Sequence, residues 1–104
     1  IGTLQKGKTC IGVDVDQYLS YPDAAKCLLT SAEKHLSVAV KTIITDAVQK
    51  KFPAATLTFD AKNNGVGIAP YHEFDAKVPA DVKTKIKNIE KKLADGSLQT
   101  GVTI

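Results

Sequence analysis

The stretch Thr9-Cys10-Ile11-Gly12-Val13-Asp14-Val15-Asp16-Gln17 decides how the rest of the chain is read. Cys10 to Val13 is a short apolar run broken only by Gly12, and two carboxylates and an amide follow at once. A run of this kind bounded by polar residues predicts a buried strand of a parallel sheet. In open α/β sheets, ligands bind beyond the carboxyl ends of the strands. Gly12 lacks a side chain just before that end, which permits close approach by another backbone or by a ligand. Asp14, Asp16 and Gln17 therefore fall where binding groups are usually placed. If the extended path continues, Asp14 and Asp16 point to one side and Val15 to the other. Asp is also a favoured cap and turn residue, so either carboxylate can instead cap the next element.

Outward from this strand, Ser20-Tyr21-Pro22-Asp23 is turn chemistry, with Pro22 able to start a short helix over residues 23–26. Cys27-Leu28-Leu29-Thr30-Ser31 repeats the design of an apolar strand with a polar tip, followed by Glu33 and Lys34. Ser37 to Phe52 predicts a helix capped by Ser37 and ended by Pro53, with Val40, Ile43, Ile44, Ala47 and Val48 as its buried face. Thr56 to Asp60 alternates as a strand with Leu57 and Phe59 inward. Lys62-Asn63-Asn64-Gly65 is a strong turn into a further extended run, Val66 to Pro70, so a hairpin is expected there. Residues 71–78 read as a loop. Pro79 to Ala94 predicts a second helix, with Asp81 in its first turn, Val82, Ile86, Ile89 and Leu93 buried, and Gly96 at its end.

The chain has 104 residues, enough for one small domain. Its net charge is +3, and all 14 basic residues are Lys. Sequence-specific DNA readers exploit the two-pronged fork of Arg, so no nucleic-acid partner is expected. Two cysteines are too few for a disulfide scaffold or a zinc signature. A Cys10–Cys27 bridge is geometrically open if their runs are neighbours, but two buried free thiols are the expected state. No stretch approaches the ~18 apolar residues of a spanning helix. The chain opens at Ile1 a few residues before the first strand, and it is expected to be a piece of a longer protein.

One constellation suits recognition. Asp14 follows the first strand and Lys34 the second, so parallel neighbouring strands bring both tips to one sheet edge. A carboxylate accepts hydrogen bonds from a vicinal diol and a lysine donates to a ring or hydroxyl oxygen, which fits a neutral, hydroxyl-rich ligand. The bland counterpart is a surface salt bridge. A second constellation is Asp14-Val15-Asp16 as a haloacid-dehalogenase-type phosphatase pair on Mg²⁺. Tyr18 stands where that motif has Thr or Val, and Asp60 and Asp75 stand alone rather than completing a metal site. His35 and His72 have no partner at ligand spacing and read as surface or satisfied polar positions. No cofactor loop, metal set or catalytic residue is assigned.

Gly12-Val13-Asp14-Val15-Asp16-Gln17, Leu29-Thr30-Ser31-Ala32-Glu33-Lys34, Asn64-Gly65-Val66-Gly67-Ile68-Ala69, Pro79-Ala80-Asp81-Val82 and Asp95-Gly96-Ser97 occur in that order. Together they resemble the C-terminal part of the basic membrane protein family. These are purine-nucleoside-receptor-like substrate-binding lipoproteins of bacterial ABC transporters. The resemblance runs from about Thr9 to Val102 and is most specific in its first two pieces. It implies an α/β fold, a three-layer parallel-sheet fragment of a type I periplasmic-binding-protein fold with ligand in a cleft between two lobes. Residues 1–104 would be a single fragment of that protein. The resemblance further implies that Asp14 grips ribose hydroxyls and Lys34 helps, while Asp16 and Gln17 match the motif and shape the loop. The implied partners are a nucleoside-like solute and the permease subunits. The implied location is extracytoplasmic, with a lipid anchor outside this chain, and exposed apolar surface would make a homodimer of the fragment plausible. The alternatives are the Mg²⁺ phosphatase and a ligand-sensing regulatory domain on the same fold.

Overall fold

Cys10–Asp14 forms β1 and Leu28–Lys34 forms β2, and the two pair in parallel, with Gly12 beside Ser31 and Asp14 beside Glu33. The computed structural model describes residues 6–52 and 56–101 of the chain. A parallel pair needs a crossover of about a dozen residues to return the chain to its starting end. Here residues 15–27 supply it, through a one-turn helix α1 (Gln17–Ser20) and a 3-10 helix (Pro22–Cys27) that starts on Pro22. Cys27 then stands next to Cys10 and the two form a disulfide. This corrects the expectation of free thiols. The sulfurs meet because Cys10 lies opposite Leu28, the residue after Cys27.

β2 runs past Ser31 to Lys34, paired with β1 as far as Glu33 and flanked on its other edge by a third strand. β3 (Val66–Ile68) pairs antiparallel with β2, Ala32 facing Ile68 and Lys34 facing Val66. The sheet is thus mixed, in the order β1-β2-β3, not the expected parallel one. The reason is where the chain re-enters. The His35 N–H donates to the Gly65 carbonyl at 2.8 Å, so the turn before β3 sits at the far tip of β2 and the strand can only run back. The turn itself forms as expected, with Gly65 N–H donating to Asp60 O at 2.7 Å and Asn63 Nδ2 to Thr58 O at 2.7 Å. The expected strand at Thr56–Asp60 does not form and there is no hairpin, because β2 takes the place of that partner.

α2 (Leu36–Val48) and α3 (Ala80–Asp95) are the two long helices. His35 rather than Ser37 stands at the α2 N-cap, and the helix stops before Pro53, which lies outside the described residues. Lys50 adopts φ 56, and Lys51 N–H donates back to Asp46 O at 2.8 Å. α3 ends on Gly96 at φ 78, the left-handed stop the sequence predicts. Residues 72–77, read as a loop, form a second 3-10 helix (His72–Lys77).

Neither long helix has a buried residue, so the three-layer expectation does not hold among the described residues. Ile43 and Ile44 on α2 are 50% and 59% exposed. Ile86 and Leu93 on α3 are only half-buried. Among the described residues the buried apolar side chains are Ala24, Cys27, Leu28 and Ala69, with Cys10 packed against the first three. The Cα radius of gyration is 16.6 Å, against about 13 Å for a compact domain of this length. The result is a small mixed α/β domain in which, among the described residues, the apolar helix faces are largely uncovered.

With so small a core, the bridge carries much of the order. It closes a loop with a sequence separation of 17. Replacing both cysteines by serine is expected to cost about 3 kcal/mol, read as a lower urea midpoint.

Candidate functional site

β1 ends on Asp14 at φ 72, a region that residues other than glycine seldom enter. Val15 N–H donates to Val13 O at 3.0 Å, closing a γ-turn around Asp14. The extended path therefore stops, and the two carboxylates part instead of facing one side. Asp14 Oδ1 lies 2.8 Å from Lys34 Nζ. Asp16 goes the other way. Its Oδ1 accepts from Tyr18 N–H at 3.1 Å as the N-cap of α1, and its Oδ2 accepts from His72 Nε2 at 2.7 Å.

Gln17 is the first residue of α1, and its N–H donates to the buried Ser31 hydroxyl at 3.1 Å. Gly12 makes this possible. A Cβ there would collide with Ser31 Oγ and with the Gln17 side chain. The close approach foreseen at Gly12 is thus made by the protein itself. Of the four residues singled out in the sequence, Asp14, Asp16 and Lys34 line one hollow of about 230 Å³, whereas Gln17 does not and packs against Gly12.

Glu33 and His35 also line that hollow, and the sequence reading assigned neither to it. The strand reading stopped at Ser31, so the alternation that puts Glu33 and His35 on one side went unread. His35 Nδ1 lies 2.8 Å from the Asn64 carbonyl, which can only accept, so Nδ1 carries a proton. Nε2 faces Glu33 Oε2 at 3.4 Å and donates to it only when the ring is charged. The hydrogen bond to Asn64 O holds the His35 pKa up, Glu33 adds to this, and partial burial opposes it. The Lys34 pKa is also raised, by its hydrogen bond to Asp14 and then by the Asp14 charge. Both members of that pair are more than half exposed, so it adds little to stability.

A larger groove of about 760 Å³ shares Glu33, Lys34 and His35 with the hollow and is bounded also by Val13, Ala32, Ile68 and Leu93. Its walls are mostly apolar, which suits packing against protein better than holding a hydroxyl-rich solute. The small hollow carries the polar chemistry. Asp14, Glu33, Lys34 and His35 line it, while the Asp16 carboxylate is taken up by Tyr18 N–H and His72.

No protein-family model matches the chain, and no curated protein is similar to it.

A raised His35 pKa means that the folded state binds the proton more tightly than the unfolded chain. The stability this ring contributes is full below about pH 6.5, the ordinary histidine value, and is lost as pH rises through the higher folded value. The urea midpoint of wild type minus that of His35→Gln is expected to be larger at about pH 5.5 than at about pH 8.5.

Proposed function

We propose that the chain belongs to the solute-binding component of an ABC importer and contributes to an interlobe site for a nucleoside or a similar hydroxylated molecule. The carrying observation is the Asp14–Lys34 pair, 2.8 Å apart at the tips of neighbouring parallel strands and lining one hollow. An acceptor-only carboxylate beside a donor-only ammonium is the combination that a vicinal diol and its neighbouring oxygens would satisfy. The Asp14 and Glu33 side chains at the hollow favour a neutral ligand over a phosphorylated one, whose charge they would repel. No bond is broken in this reading. Lobe closure around the solute would select a minor closed state.

Two further observations agree with it. The Cys10–Cys27 bridge suits an oxidising, extracytoplasmic compartment. The uncovered faces of α2 and α3 suit a part of a larger two-lobed protein of the type I periplasmic-binding fold, anchored to the membrane elsewhere and docking on permease subunits. The phosphatase alternative needs Asp14 and Asp16 to converge on one cation, and it draws no support from a cap that commits Asp16 to Tyr18 and His72.

Calorimetric titration of the two-lobed protein with purine nucleosides tests the proposal. Asp14→Asn and Lys34→Gln are each expected to weaken binding about tenfold or more. Heat for no nucleoside, together with tight binding of an anionic metabolite, would overturn the ligand assignment.

A further inference from the structure

Asp14 holds a backbone conformation that an unsupported residue of its type would leave. Positive φ within a γ-turn persists only where the surroundings impose it. On one side the ladder to β2 and the packing at Gly12 supply that support. On the other side stands α1, a single turn of four residues, too short to be stable by itself.

What secures α1 comes from far along the chain. Asp16 caps it, and His72, 56 positions later, grips the other oxygen of Asp16 at 2.7 Å. Both side chains are largely buried, at 21% exposed for His72 and 15% for Asp16. A carboxylate only accepts, so His72 Nε2 carries the proton. The imidazole also lies flat on the Tyr18 ring, with centroids 4.0 Å apart and planes 9° from parallel. The Tyr18 hydroxyl donates to Glu73 Oε1 at 3.1 Å. His72 is itself at φ 45, so two strained residues are joined through Asp16. The segment ahead of His72 is tied to the sheet. Ala69 N–H donates to Ser31 O at 2.9 Å, and Thr30 Oγ1 donates to Ala69 O at 2.6 Å.

We propose that His72 is a positioning residue for the ligand site, acting through Asp16 to hold the turn that aims Asp14 at Lys34. It does not line the hollow. Its role rests on the reading of Asp14 and Lys34 as a ligand-binding pair, but the link between His72 and Asp14 is measurable without a ligand.

Two ligand-free readouts on the full chain test the link: NMR titration of the Lys34 ammonium and amide exchange at Val15. His72→Ala is expected to return Lys34 toward ordinary lysine titration and to speed Val15 exchange about tenfold or more. His72→Gln keeps an N–H close to the position of Nε2 and is expected to restore both. Asp16→Asn keeps the α1 cap while weakening the grip of His72, and is expected to shift both readouts in the same direction as His72→Ala. Circular dichroism checks that each variant keeps its secondary structure. If His72→Ala unfolds, Asp16→Asn carries the comparison. On the two-lobed protein, inosine affinity is expected to fall about tenfold in His72→Ala and to recover in His72→Gln. Lys34 titration and Val15 exchange unchanged from wild type in the folded variant would overturn the proposal. If both respond while no nucleoside binds, the clamp stands and the ligand assignment falls.

Discussion

The parallel pairing of β1 with β2 is the constraint on which the rest depends. It is tied at one end by Cys10–Cys27 and reaches Asp14 and Lys34 at the other. Among the described residues β1 has no second neighbour in the sheet, and Ile11 and Val13 are largely exposed. Hydrophobic burial therefore does little to keep β1 in register. A covalent tie shortens the list of conformations open to the unfolded chain, and the hydrogen-bonded ladder does the remaining alignment. Any slip between the strands would separate the carboxylate from the ammonium.

The same economy explains how the polar groups are used. With few apolar side chains buried, the crossover is held by specific hydrogen bonds: Gln17 N–H to Ser31 Oγ, Asp16 to Tyr18 N–H, and His72 to Asp16. Buried polar groups of this kind stabilise only when they are satisfied, and no described buried side-chain polar atom lacks a partner. The two acidic residues of one short motif thus divide the labour. Asp16 is spent on structure, and Asp14 is left at the rim of the hollow. Exposed apolar stripes on α2 and α3 describe a surface that water alone would not favour, consistent with packing against further protein.

Much of this was legible in the residues. Apolar runs with polar tips marked β1 and β2, and their like design suggested parallel neighbours, which brought Asp14 and Lys34 together on paper. The period of 3.6 residues marked both long helices, and Gly96 marked where the second one stops. Legibility failed where the answer depended on a distant partner. Thr56–Asp60 alternates like a strand, yet β2 already pairs with the run it was expected to join. His72 reads as a surface or satisfied polar position, and the satisfied alternative holds, but its partner could not be named because it lies 56 positions earlier. Glu33 and His35 were passed over because the apolar run ends at Ser31, whereas pairing with β1 carries the strand on to Glu33 and pairing with β3 carries it to Lys34.

The sequence by itself determined the two long helices, the first two strands, the Asn-Gly turn and the types of group at the strand tips. Those follow from periodicity, turn chemistry and charge, all of which act over a few residues. Only the tertiary structure decided that the cysteines are joined, that β3 runs antiparallel, and that Asp14 and Asp16 face apart. Each of these depends on which segments meet after the chain has folded back, because a hydrogen bond or a disulfide forms on proximity in space and not on spacing along the chain.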